Sequence, residues 1–145
     1  MIPRRSFIAG IAVLPLASAY ATPEALQAAI KEVVGSKPLR EGKVHIDIPS
    51  LVENGNAVPI VVTVDSPMTR TDRIKAIHVF NEKNPQPHVC NISLGPAVAR
   101  AKIETRIKLG DSQKIVAIAE TDKGEFWTAQ ADVIVTLAAC LEDLT

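Results

Sequence analysis

Aromatic side chains are scarce: one Trp, one Tyr and three Phe in 145 residues. A core without them is built from Val, Ile, Leu and Ala, and the β-branched share favours strands. Net charge is missing as well, with 16 Lys and Arg against 16 Asp and Glu. No basic surplus exists to hold DNA, RNA or an anionic membrane surface. The apolar run from Ile8 to Leu16 is too short to span a bilayer. Cysteine occurs twice, at Cys90 and Cys140, and neither lies in a Cys-x-x-Cys pair. That excludes a thioredoxin-like motif and a local zinc pair. There is no Gly-rich phosphate loop, no Gly-x-Ser-x-Gly elbow and no His-x-x-x-His spacing. The chain shows no sign of an enzyme, a resident metal or a cofactor.

What is there begins with a leader. Arg4-Arg5-Ser6-Phe7 precedes the apolar run, and Ala19-Tyr20-Ala21 places small residues where a signal peptidase reads. The paired arginines with Phe7 are a twin-arginine signature, an address for export of folded cargo. Pro3 and Ala9 depart from its fullest form, and ordinary Sec export is the alternative. Residues 1–21 are thus expected to be a cleaved signal, sending the chain to the periplasm with no membrane attachment afterwards. Without Arg4 and Arg5 the balance is 14 basic to 16 acidic, a charge of −2.

Residues 22–36 read as a helical segment. Thr22 can cap, Pro23 suits the first helical position and Gly35 follows the end. Leu26, Ile30, Val33 and Val34 make one apolar face, to be covered either by the rest of the chain or by a partner subunit.

From Lys43 the period changes to two. Val44, Ile46 and Ile48 alternate with His45 and Asp47, and Asn54-Gly55-Asn56 signals a turn. Val58 to Val64 is an apolar run in which Pro59 belongs at an edge or beginning, because it donates nothing to a ladder. Ile74 to Asn81 and His88 to Leu94 follow as extended segments. Ala99, Ala101, Ile103, Thr105, Ile107 and Leu109 share one face against Arg100, Lys102, Glu104, Arg106 and Lys108. Ile115 to Ala119 and Phe126 to Val135 flank a hairpin turn at Asp122-Lys123-Gly124. About seven short strands with turns between them predict an antiparallel β-sandwich over residues 37–136.

His45 and His78 fall on polar phases of their strands and His88 follows a Pro-rich loop, so all three are expected at the surface. A metal site from His78, His88 and Cys90 is the remote alternative. Cys90, in mid-strand, reads as a small buried hydrophobe. Cys140 differs, because it lies past the last strand in the tail 137–145. A thiol there can enter another protein and form a disulfide-like or persulfide link through its thiolate. Glu142, Asp143 and the terminal carboxylate should raise its pKa, leaving activation to a partner. Equally, Leu137, Leu141 and Leu144 have helical spacing, and the tail could be a packed helical turn with Cys140 as inert filler.

The strand region carries a resemblance. Ile48-Pro49-Ser50-Leu51-Val52-Glu53-Asn54-Gly55-Asn56-Ala57-Val58-Pro59, Val64-Asp65-Ser66-Pro67-Met68 and Lys75-Ala76-Ile77-His78-Val79-Phe80 resemble SoxY, the sulfur-carrier subunit of bacterial thiosulfate oxidation. Asn84-Pro85, Thr105-Arg106-Ile107-Lys108-Leu109, Ile115-Val116-Ala117-Ile118-Ala119 and Ala131-Asp132-Val133-Ile134-Val135-Thr136 continue it. The resemblance implies an immunoglobulin-like sandwich, a SoxZ-like partner subunit and periplasmic sulfur-oxidising enzymes that load and unload a C-terminal cysteine. Cys140 matches that cysteine.

The family's arm is Gly-Gly-Cys-Gly-Gly, whereas here Ala138-Ala139 precede the cysteine and Leu141-Glu142 follow it. This arm is similar to those of SoxY-related variants with Ala-Ala-Cys-Ile-Glu. Alanine and leucine make a bulkier, stiffer chain than glycine. The expected function is therefore a non-enzymatic carrier holding sulfur intermediates on Cys140. The alternative is a structural or interaction subunit with a packed tail.

Overall fold

The computed structural model describes residues 21–139. It is mainly β, with one helix, α1 (Pro23–Val34), followed by nine strands. They are β1 (Leu39–Arg40), β2 (Val44–Asp47), β3 (Leu51–Val52), β4 (Val58–Val64), β5 (Ile74–Asn81), β6 (His88–Ser93), β7 (Lys102–Ile107), β8 (Gln113–Thr121) and β9 (Phe126–Val135).

Two sheets face each other as in an immunoglobulin-like sandwich. One has the order β1-β9-β8-β5-β6, with β3 also paired to β9, and the other is β2-β4-β7. All pairings are antiparallel except two: β1 and β3 each run parallel to β9. These two-residue strands were not foreseen. Nothing in so short a segment marks a partner that lies more than eighty residues away in the chain.

Val58, Ile60, Val62 and Val64 of β4 pack against Ile77, Val79, Ile115, Ala117 and Ala119 in the inter-sheet core. The strict alternation along β4 sends these four inward, and Pro59 lies beyond the reach of β2, which pairs only with residues 61–64. At Pro59 the strand therefore has β7 alone beside it, where a missing N–H is tolerated. The alternation expected from Ala99 is shorter than its sequence span. Ala99 is exposed ahead of the strand, and Thr105 is exposed within it.

The Thr22 hydroxyl accepts from the Ala25 amide (3.3 Å) and caps α1. At the other end Gly35 turns the chain with φ 62°, its amide donating to the Lys31 carbonyl (2.8 Å). Leu26, Ala29, Ile30 and Val34 bury against Phe80, Val116, Ile118 and Phe126. The helix thus covers its own domain rather than waiting for a partner, and β5 and β8 are buried on both faces. Among the described residues no helix is long and apolar enough to cross a membrane.

Candidate functional site

The expected site, Cys140, and its following neighbours Leu141 and Glu142 lie outside the described residues, as do Arg4 and Arg5. The structure does define what leads up to Cys140. β9 is ten residues long and ends at Val135. β3 then runs beside it in parallel, pairing Leu51 with Ile134 and Val52 with Val135. The Ile134 amide donates to the Ser50 carbonyl (2.8 Å) and the Thr136 amide to the Val52 carbonyl (3.0 Å). The Thr136 hydroxyl reaches the carbonyls of Val52 (3.4 Å) and Glu53 (3.3 Å).

From the opposite side comes the loop after β7. The Ser112 hydroxyl accepts from the Val135 amide (2.9 Å). The Gly55 amide donates to the Leu137 carbonyl, and the Leu109 amide to the Gly55 carbonyl, each at 2.8 Å. Finally the Ala139 amide donates to the Leu109 carbonyl (3.0 Å). Backbone bonds therefore hold the chain through Ala139, the residue covalently joined to Cys140. Ala138 is exposed and Ala139 is buried.

Side chains tell a different story on this segment. Leu51, Ile134 and Leu137 remain 60, 58 and 63 % exposed. The fourth large apolar side chain in solvent among the described residues, Leu39, is less so. An apolar margin thus flanks the root of the arm.

Cys90 sits half-buried in β6 opposite Val79, packed against the inter-sheet core. Burial pushes its thiol up from the ordinary 9.0, away from thiolate chemistry. The histidines do not gather around it. His45 is exposed, its Nε2 2.8 Å from Asp65 Oδ2. His78, expected at the surface, has a side chain only 13 % exposed. Its Nδ1 lies 3.0 Å from Asn91 Oδ1 and its Nε2 3.9 Å from Glu120 Oε2, both on neighbouring strands. The polar phase of β5 fails as a guide because that strand is central and covered. His88 packs on Phe80, its Nε2 3.7 Å from Glu32 Oε2 on α1. Among the described residues no group of three His, Cys, Asp or Glu could hold a metal ion.

The residues missed at the sequence level are those that hold the arm: Gly55, Leu109 and Ser112. Asn54-Gly55-Asn56 signalled the turn, and the Asn54 side chain does accept from the Asn56 amide (3.0 Å). No local signal pairs that turn with residues more than eighty positions on.

Comparison with known proteins agrees with this architecture. The family described as sulfur oxidation protein SoxY matches residues 30–140, and the chain belongs to that family. The match ends on Cys140. The structure of the sulfur carrier protein SoxY from Chlorobium limicola f thiosulfatophilum is similar, with a TM-score of 0.65 and 26 % identity. The alignment covers 77 % of this chain and 96 % of that one. The superoxide reductase (neelaredoxin) of Ignicoccus hospitalis shares the fold at a TM-score of 0.58 and 19 % identity, covering 81 % of this chain and 95 % of that one. The superoxide reductase of Nanoarchaeum equitans does so at 0.56 and 17 %, covering 66 % and 100 %. Comparison with curated proteins found no match. The reductase likeness is one of fold alone.

Proposed function

We propose that this protein is a non-enzymatic sulfur carrier of the periplasm that holds sulfur intermediates covalently on Cys140 during oxidation of thiosulfate or related compounds. The observation that supports it most is that backbone hydrogen bonds hold the chain at Leu137 and Ala139, directly before the cysteine on which the family match ends. The scaffold's other cysteine, Cys90, is half-buried and disfavoured as a thiolate. Of the two thiols, Cys140 is therefore the one we assign to exchange with other proteins.

The chemistry is a sulfur–sulfur bond. Joining the Cys140 thiol to the outer sulfur of thiosulfate gives a Cys–S–S–sulfonate, one proton and two electrons. The electrons leave to an acceptor supplied by a loading enzyme, since this chain contributes only the thiol. A SoxZ-like subunit completes the carrier, and the twin-arginine leader with Arg4 and Arg5 exports the pair folded. Ala138, Ala139, Leu141 and Glu142 set the shape of the arm, which matches the Ala-Ala-Cys-Ile-Glu variants more than the all-glycine one. An enzyme that loads this arm accordingly needs an entrance wide enough for leucine.

Intact mass of the mature protein, isolated without reductant from cells oxidising sulfur compounds, tests this reading. Added mass in sulfur or sulfonate steps is expected, lost on reduction, absent from Cys140→Ser and retained in Cys90→Ser. An unmodified mass together with a Cys140 that resists alkylation in the native protein would overturn it in favour of an inert structural subunit.

A further inference from the structure

The root of the arm is held by a relay of three backbone hydrogen bonds centred on one glycine. Leu137 accepts from Gly55, Gly55 accepts from Leu109, and Leu109 accepts from Ala139, at 2.8, 2.8 and 3.0 Å. The two ends of the relay, Leu137 and Ala139, bracket the exposed Ala138. Residue 55 has to be glycine for a reason of space. A Cβ there would lie 2.2 Å from the Leu109 carbonyl oxygen, 2.9 Å from the Ala139 nitrogen and 3.1 Å from a Val135 methyl. The first two are backbone atoms hydrogen-bonded to each other, so no rotamer change relieves the clash. Even alanine must part the Leu109 and Ala139 backbones or shift the turn itself.

We infer that Gly55 is a positioning residue for Cys140. Resting on the carrier reading, the inference says that the clamp fixes the point from which the thiol is presented. A protein exchanging sulfur with Cys140 then comes up against Leu51, Ile134 and Leu137, the exposed apolar side chains at the held root. Covalent geometry links the two: consecutive Cα atoms are about 3.8 Å apart, and Ala139, the residue before Cys140, is buried and held. The alanines fit the same picture. Where the backbone is fixed in one conformation, alanine loses less chain entropy than glycine, so the freedom of a Gly-Gly root is of no use here.

The test uses the mature protein with Cys90→Ser, so that Cys140 is the single thiol. Cys140 is reacted with N-ethylmaleimide and, separately, with a maleimide carried on polyethylene glycol. The bulky reagent is expected to lag behind the small one in the parent, because the root cannot swing out. Gly55→Ala should raise the bulky-to-small rate ratio several-fold. Val62→Ala, a core change in β4 that also lowers stability, should leave the ratio unmoved. A merely structural role for Gly55 would make the two variants alike, and that outcome overturns the inference.

Amide hydrogen exchange gives an arm that needs no variant. The Ala139 amide of the parent is expected to be protected, and exchange as fast as in an open chain would also overturn the clamp. Occupancy of Cys140 in sulfur-oxidising cells, read by intact mass, separates the two proposals. A loaded parent with an unchanged rate ratio sinks the clamp alone. A parent that never carries cargo sinks the carrier reading on which it rests.

Discussion

The two ends of the described chain are fastened in opposite ways. At the N-terminal end α1 is held by side chains: Leu26, Ala29, Ile30 and Val34 vanish against Phe80, Val116, Ile118 and Phe126. At the C-terminal end the segment after β9 is held by backbone hydrogen bonds to Val52, Gly55 and Leu109, and its large side chain, Leu137, stays in solvent. Apolar burial is stabilising but leaves nothing free to touch a partner. Backbone bonding fixes a position and keeps the apolar side chains available. The difference fits a scaffold at one end and a presentation point at the other.

The comparison breaks most readily at the helix. Leu26→Ala or Ile30→Ala removes a buried anchor and is expected to cost about 2–5 kcal/mol, read as a lower denaturation midpoint. Cys140 reactivity should stay as in the parent, since the arm root shares no residue with that cluster. A change in both would show that the two ends are coupled and would undo the contrast. Gly55→Ala should be gentler on stability, about 1–3 kcal/mol as for other overpacked sites, while it alters the presentation of the thiol.

Next comes the exposed margin. Leu51→Ser with Ile134→Ser is expected to leave stability within about 0.5 kcal/mol, because neither side chain is buried. The same pair should lower the loaded fraction of Cys140 in cells several-fold by intact mass. A normal loaded fraction would remove these two residues from the docking face.

The smallest effect sharpens the comparison through pH. Asp111 lies in the loop that supplies Leu109 and Ser112 to the arm. The Lys83 ammonium hydrogen-bonds its carboxylate (3.0 Å), and together with the Ser112 amide it holds the carboxyl below its ordinary range. With the folded pKa depressed, the contribution is present above the unfolded value of about 3.9 and is lost as pH falls through the folded one. Asp111 is exposed, so screening keeps the effect small. Asp111→Asn should therefore destabilise slightly at neutral pH and not at all in strong acid, measured by urea unfolding at both. An equal loss at both pH values would assign the effect to packing instead.

Much of this was legible in the sequence. The cap at Thr22, the glycine at Gly35, the period-two run of β2, the apolar run of β4 and the hairpin turn at Gly124 are local signals, and each marks its element. The family text and the position of Cys140 beyond the last strand are likewise properties of the linear chain. Periodicity misled at His78, because alternation reports a half-buried strand whereas β5 lies centrally under α1 and is covered on both faces.

What only the tertiary structure decided is how the arm is held. The turn at Gly55 reads as a turn from its own residues, but its glycine is required by the approach of Leu109 and Ala139. The pairing of Leu51 with Ile134 joins positions with no local signal between them. Helices, turns and strand periods follow from residues within a few positions of one another, so sequence alone determines them. A backbone contact across more than eighty residues depends on where the whole sandwich carries each loop, and that is settled only when the two sheets close on their shared core.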